Sequence, residues 1–228
     1  MSYKANIRLL DPRNSTKLKI KEVWKIYRPN LKPSHELAYI LCVLLGDGTV
    51  TYNGKNGYVI KLKTKDYTFA NEFALMLRKI GLNPVIYTEN VSRYNKNWND
   101  CYLVRAFSKI FYKWYKSLTI DNVIRIVKGY EKDFIRGFYE SEGSIWKRND
   151  NDQSRIRIVN TNHKLMNAIC SMLRELGLNC KLRSHFGSKR QAYEITIEGN
   201  NIVSHFLKII NPKIKNVVEE WSTERGRF

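Results

Sequence analysis

Two acids carry the chemistry that this sequence offers, and each closes a copy of one short pattern. Asp47 ends the stretch Ile40-Leu41-Cys42-Val43-Leu44-Leu45-Gly46 and is followed by Gly48. Glu142 ends Ile135-Arg136-Gly137-Phe138-Tyr139-Glu140-Ser141 and is followed by Gly143. The acids stand 95 positions apart. Each would sit at the C-terminal end of a mostly apolar helix, where the helix dipole is negative and a carboxylate is unfavourable. Two such acids brought together also repel. That placement calls for compensation, and a hard divalent cation held by carboxylate and carbonyl oxygens supplies it. A single Asp-Gly after a buried helix would signify nothing. Two acids in matching repeats of a strongly basic chain point to a bound divalent cation.

The elements that must position these acids are legible in the same letters. Small residues fall four apart, Cys42 and Gly46 in one copy, Gly137 and Ser141 in the other, and residues at that spacing share a helix face. Small residues on both faces let two backbones approach closely. Helices packed through these faces run side by side and bring their acidic ends together. The glycine after each acid suits a left-handed helix stop.

Taken together, the two copies resemble the motif of the LAGLIDADG homing endonucleases, in the monomeric form that carries two motifs on one chain. The resemblance covers nearly all of residues 34–212. It implies an α+β fold of two pseudo-two-fold-related α-β-β-α-β-β-α halves, whose antiparallel sheets form a DNA-binding saddle with the motif helices packed at the interface. It implies a metal-dependent double-strand cut at an intron insertion site, leaving short 3′ overhangs. Asp47 and Glu142 would be catalytic and, with carbonyls near Gly46 and Ser141, would hold two or three magnesium ions, manganese being able to substitute. The family also lines its site with polar or basic residues where the second strand enters the next helix; here those positions are Thr64 and Lys65 in the first half and Asn160 in the second. Some relatives keep a lysine three residues after the second acid, which here is Ile145, with Lys147 two further on. Lys63, Lys65 and Lys147 are therefore candidates for an auxiliary lysine, and simple phosphate contact is the alternative for each. Glu140 lies two residues before Glu142 but faces Leu45 in the other copy, and it is not read as catalytic.

Composition bounds the partner. The chain has 228 residues, with 40 basic and 21 acidic side chains and a formal net charge of +19. The excess runs along the whole length, as expected of a protein that neutralises phosphates; a ribosome- or membrane-associated basic protein is the alternative. No apolar run reaches the length of a membrane span, and the N-terminus lacks the features of a secretory signal. An intracellular location is expected, wherever the target DNA lies, in a prokaryotic cytoplasm or an organelle. Cys42, Cys101, Cys170 and Cys180 show neither C-x-x-C nor zinc-finger spacing and read as reduced, buried thiols. The four histidines are scattered, which leaves a histidine-metal nuclease unsupported.

In chain order, residues 1–33 form a basic extension that either touches DNA or packs on the domain. Residues 34–118 make the first half, 119–131 a linker, 132–212 the second half, and 213–228 a tail that no pattern places. Hairpin, helix and strand-pair signals follow each motif in the same order. Met76-Leu77-Arg78-Lys79-Ile80-Gly81-Leu82-Asn83 matches Met172-Leu173-Arg174-Glu175-Leu176-Gly177-Leu178-Asn179, the mark of a duplicated unit. Gly81 and Gly177 are read as helix stops.

Period-two alternation selects Lys61, Lys63, Arg155, Arg157, Lys181 and Arg183 as the outward side chains of the strands, and Arg93, Lys189 and Arg190 lie in loops beside them. Such residues read guanine edges in the major groove or grip phosphate without reading sequence. The expected partner is a double-stranded DNA target bound by a monomer, with intron RNA as a further possibility. Two rivals to the nuclease remain: an RNA maturase that helps its own intron splice, and a catalytically inactive DNA-binding regulator.

Overall fold

The structure is a computed structural model that describes residues 28–54, 57–89, 100–147, 153–186, 191–216 and 219–220. Most of the basic N-terminal extension, most of the 90–100 loop with Arg93, and the loop holding Lys189 and Arg190 lie outside the described residues.

The first half runs α1 (His35–Leu45), β1 (Thr49–Tyr52), β2 (Tyr58–Thr64), α2 (Tyr67–Lys79), β3 (Val85–Glu89), β4 (Cys101–Phe107) and α3 (Lys109–Lys116). A short helix, α4 (Ile120–Ile126), fills the stretch read as a plain linker. Thr119 and Asn122 form a capping box at its start, a device that fixes helix entry in a sequence too short for periodicity to show. The second half then repeats the order: α5 (Glu131–Glu142), β5 (Gly143–Lys147), β6 (Ser154–Asn160), α6 (His163–Glu175), β7 (Lys181–Phe186), β8 (Gln191–Glu198) and α7 (Asn200–Ile210).

Both sheets are built alike. The strand order is β1-β2-β4-β3 in the first and β5-β6-β8-β7 in the second, every pair antiparallel. A two-residue strand, β9 (Glu219–Glu220), adds to the outer edge of the second sheet parallel to β5. The inner face of each sheet is apolar. Ile60, Leu62, Val104 and Ala106 in one, and Ile156, Ile158, Ile195 and Ile197 in the other, are fully buried under helices. The matching octapeptides close α2 and α6, which begin at the equivalent caps Asp66 and Asn162. Gly81 and Gly177 stop these helices with φ of +89° and +77°, the left-handed conformation that glycine adopts without penalty.

The two motif helices, α1 and α5, make the most extensive contact between any two elements. They meet through the predicted small residues. A Cβ at Gly137 would lie 2.7 Å from the Tyr39 carbonyl oxygen and 3.3 Å from Cys42 Cβ. One at Gly46 would lie 2.5 Å from Ser141 Oγ and 3.1 Å from Glu142 Cγ. The backbones are therefore as close as side chains allow. His35 Nδ1 meets Asp133 Oδ2 at 2.6 Å and ties the other ends of the pair.

The glycines after the acids serve a different purpose from the one expected. Neither Gly48 nor Gly143 has a positive φ. The chain instead turns straight into the first strand across the last helical turn. A Cβ at Gly48 would sit 2.9 Å from Leu44 Cα, and one at Gly143 would strike the Tyr139 ring. Close approach selects glycine here, not handedness.

Gly137→Ala is expected to cost about 1–3 kcal/mol, the usual penalty for overpacking a tight contact, because its methyl meets rigid backbone. Denaturant unfolding of the variant checks this. A loss below about 0.5 kcal/mol, the range of surface changes, would mean that the helices can part.

Candidate active site

Each acid reaches the interface by a different local route. Helix α1 ends at Leu45, so Asp47 lies two residues past it, whereas Glu142 is the last residue of α5. Glu142 is partly buried and Asp47 more open to solvent, and the two lie close enough for the charge of Asp47 to act on Glu142. The Glu142 carboxyl is raised above the usual range, first by desolvation and then by the charge of Asp47, with Asn160 and Lys215 opposing. Asp47 is raised by desolvation, with Lys215 pulling it down. The structure thus juxtaposes Asp47, Glu142, Gly46 and Ser141, the four residues named from the motif.

The auxiliary residues divide. Asn160 reaches the site, its Nδ2 donating to Glu142 Oε1 at 3.3 Å. Thr64, at the same point of the first half, accepts from the Asp66 amide at 3.1 Å and so caps the entry to α2. Lys65 is exposed. Lys63 pairs with Glu89 at 2.9 Å on the outer face of the first sheet. It lines an open groove of about 340 Å³ with Asp47, Lys61 and Arg105. Lys147 stands at the far end of β5, roughly 15 Å along an extended strand from the acid at about 3.3 Å per residue.

The outward side chains of the second sheet are already engaged. Arg157 Nε donates to Glu194 Oε2 at 2.7 Å. Arg155 lies 3.1 Å from Glu198 and 3.7 Å from Glu194, although its Nε lacks the alignment of a hydrogen bond. Lys181 lies 3.5 Å from Glu198. Arg183 is exposed and registers opposite Glu194.

Two residues at the site escaped the sequence reading. Glu140, set aside as non-catalytic, is 1% exposed and ties three segments together. Its carboxylate accepts from Tyr39 Oη on α1 at 2.5 Å and from the Lys213 amide at 2.6 Å. Burial raises its carboxyl, while those bonds and Arg136 oppose. Arg136 lies over the Tyr39 ring at 4.5 Å and donates to Glu72 at 2.7 Å. Lys215, from the tail, donates from Nζ to the carbonyl oxygens of Glu140 at 2.8 Å and Ser141 at 3.2 Å. Burial pulls its ammonium down, and Asp47, Glu142, Glu140 and Asp66 push it back up. A lone lysine in a chain with 40 basic residues gave no signal of this.

Among the described residues there is no group of three or more His, Cys, Asp or Glu side chains that could hold a metal ion. The donor set is instead two carboxylates and carbonyls of two helix ends, one of them already taken by Lys215, all oxygen, which suits magnesium or manganese. Two mutually repelling carboxylates with an ammonium drawn between their helix ends form a site that recruits positive charge.

The family model for a LAGLIDADG-like domain matches residues 34–119 and 129–211. The chain is 42% identical over 171 residues to the uncharacterized protein MJ0314 of Methanocaldococcus jannaschii, covering 73% of this chain and 62% of that one. It is 32% identical over 172 residues to MJ0398 of the same organism, covering 75% and 58%. It thus spans about three-fifths of the curated relatives it matches. Among solved structures, I-DmoI in complex with DNA and manganese superposes with a TM-score of 0.55 at 18% identity, covering 77% of this chain and 96% of that one. I-DmoI is a homing endonuclease and has also been solved with magnesium and with calcium. Full-length WhiA from Thermatoga maritima superposes with a TM-score of 0.54 at 13% identity, covering 80% and 58%. The chain belongs to the LAGLIDADG-like domain family.

The rim acid and the buried acid should respond oppositely to removal. A carboxyl raised in the folded state favours the fold in its protonated form, and that contribution is lost as pH rises through the folded value. At pH 7 the ionised Asp47 therefore opposes folding. Asp47→Asn should raise the melting temperature of the metal-free protein slightly, solvent screening keeping the effect small. The gap from the parent should close as pH falls toward the ordinary carboxyl value of about 4. Glu140→Ala strands Tyr39, Arg136 and the Lys213 amide and should cost about 3 kcal/mol. Thermal melts at pH 7 and pH 5 check both; a fall in the first variant and none in the second would invert the assignment.

Proposed function

We propose that this LAGLIDADG-family chain is a sequence-specific DNA endonuclease of the homing type, cutting both strands at an insertion site and leaving short 3′ overhangs. The observation that supports it best is the meeting of Asp47 and Glu142, one acid from each repeated half, at the joint between two basic-faced sheets. One acid per half matches one cut per strand. Bound magnesium would supply an activated water and charge stabilisation at the leaving oxygen. Asp47, Glu142 and the Gly46 and Ser141 carbonyls would hold it. Asn160 would orient the Glu142 carboxylate through its hydrogen bond.

The sheets would straddle the duplex as a saddle, related by a pseudo-two-fold axis between α1 and α5, with strands in the major groove. On the first sheet Lys61, Lys63 and Arg105 would face the DNA. On the second, Arg155, Arg157, Lys181 and Arg183 would do so together with Glu194 and Glu198. Arginines already held by glutamates are oriented for base edges, since arginine reads guanine and glutamate accepts from cytosine. The lysine-lined groove of the first half suits phosphate. No helix among the described residues is long and apolar enough to cross a membrane.

Incubation with magnesium and DNA carrying the uninterrupted insertion site, or with a randomised duplex library, should give a double-strand cut. Asp47→Asn and Glu142→Gln should each abolish cutting and leave binding largely intact. Binding without cutting by the parent would make the chain a regulator; binding and accelerated splicing of intron RNA alone would make it a maturase. Affinity for DNA should fall by about 10³–10⁵ between 50 and 200 mM salt if about 6–10 phosphates are contacted. A flat response would remove the phosphate saddle.

A further inference from the structure

The stretch after α7 carries a single lysine to the end of the second motif helix. Asn211 stops α7 in the left-handed conformation, with φ of +49°, and the chain folds back over α5. Three contacts and one backbone turn fix its path. The Lys213 amide donates to Glu140 Oε1, Ile214 is buried in the core, Tyr139 Oη donates to the Lys215 carbonyl at 2.6 Å, and Lys215 itself takes a φ of +54°. A non-glycine residue in that conformation is uncommon and is held by its surroundings. The side chain is thereby aimed between the helix ends, where two of its three ammonium donors go to the Glu140 and Ser141 carbonyls. The Ser141 carbonyl is also one of the oxygens that would ligate an ion beside Glu142.

Among the described residues the first half shows no equivalent. At the end of α1 the Leu44 carbonyl accepts from Tyr115 Oη at 3.1 Å, a neutral donor. The charge at the site is therefore lopsided, with a built-in cation at the second helix end and a phenol at the first.

We propose that Lys215 is a resident cation of the paired-acid site, filling the second half's cation position so that the site takes one divalent ion fewer than it would without the lysine. The inference rests on the reading of Asp47 and Glu142 as ion-binding acids. It gives the tail a defined part in the site: its ammonium screens the repulsion between the acids and confines divalent ions to the side of Asp47. With Lys215 donating to it, the Ser141 carbonyl is a poorer ligand for a divalent ion, because like charges a few ångströms apart repel.

Manganese binding to the full chain, followed by the electron paramagnetic resonance of free Mn²⁺, tests this. Lys215→Met keeps the aliphatic stem and removes the charge. It should bind one more Mn²⁺ per chain than the parent and show a larger Mn²⁺-induced rise in melting temperature, whereas Lys215→Arg should match the parent. If Lys215→Met and the parent bind Mn²⁺ with equal stoichiometry and affinity, and Glu142→Gln weakens both, the lysine proposal falls and the ion-binding reading stands. If neither binds Mn²⁺, both fall. Should Lys215→Met fail to fold alone, Mn²⁺ is expected to restore its fold by replacing the lost charge, and failure to do so overturns the proposal.

Discussion

Everything at this site follows from how closely two helices approach. Gly46, Cys42, Gly137 and Ser141 leave α1 and α5 without side chains to hold them apart, and an added Cβ at either glycine would collide with the opposite helix. Parallel helices in that contact end at the same level. Their C-terminal dipole ends then coincide, and each carries an acid. Packing places like charges together, and the gain from burying the apolar faces of two long helices outweighs that repulsion. What the packing leaves is a standing demand for positive charge at one point of the molecule.

The molecule answers that demand in layers. In the interior, Glu140 is matched by Arg136, Tyr39 and a backbone amide, so its charge is local and static. At the rim, Asp47 and Glu142 have fewer partners: Asn160 touches one, and Lys215 acts on both from the carbonyls at the end of α5. The fully satisfied acid holds the helices and the tail together. Three acids within one joint thus divide by environment into a fully satisfied one and two with fewer partners, the pattern that perturbed carboxyls at functional sites share.

Most of the fold was legible because it is written twice. Hydrophobic periodicity, helix stops at Gly81 and Gly177, and the matching octapeptides each point to a repeated α-β-β-α-β-β-α unit, and the small-residue spacing located the helix interface. What was not legible depends on contacts across long separations. Alternation placed Arg155 and Arg157 on the outer face but could not show Glu194 arriving from another strand to hold them. The glycines after the acids were read as left-handed stops because sequence cannot separate a φ requirement from a steric one. Glu140 lacked a repeat partner, and the tail lacked periodicity, so neither could be placed; both are divergences from the duplication.

Those divergences all fall in the second half. It carries the buried arginine in the motif helix, the glutamate that binds the tail, the arginine–glutamate pairs on the sheet, and the lysine at the helix end. The first half keeps a shorter motif helix, a neutral cap and lysines beside its acid. A dimer of identical subunits would have to place the same group at both helix ends, and two ammonium groups there would cancel the negative charge that recruits ions. Fusion of the halves into one chain removes that constraint. One acid can then be screened by a side chain while the other stays open to solvent ions, and one sheet can be ordered for base edges while the other grips phosphate. Asymmetry at the charged joint is therefore a physical consequence of covalent duplication, available to this chain because its two acids no longer have to share one environment.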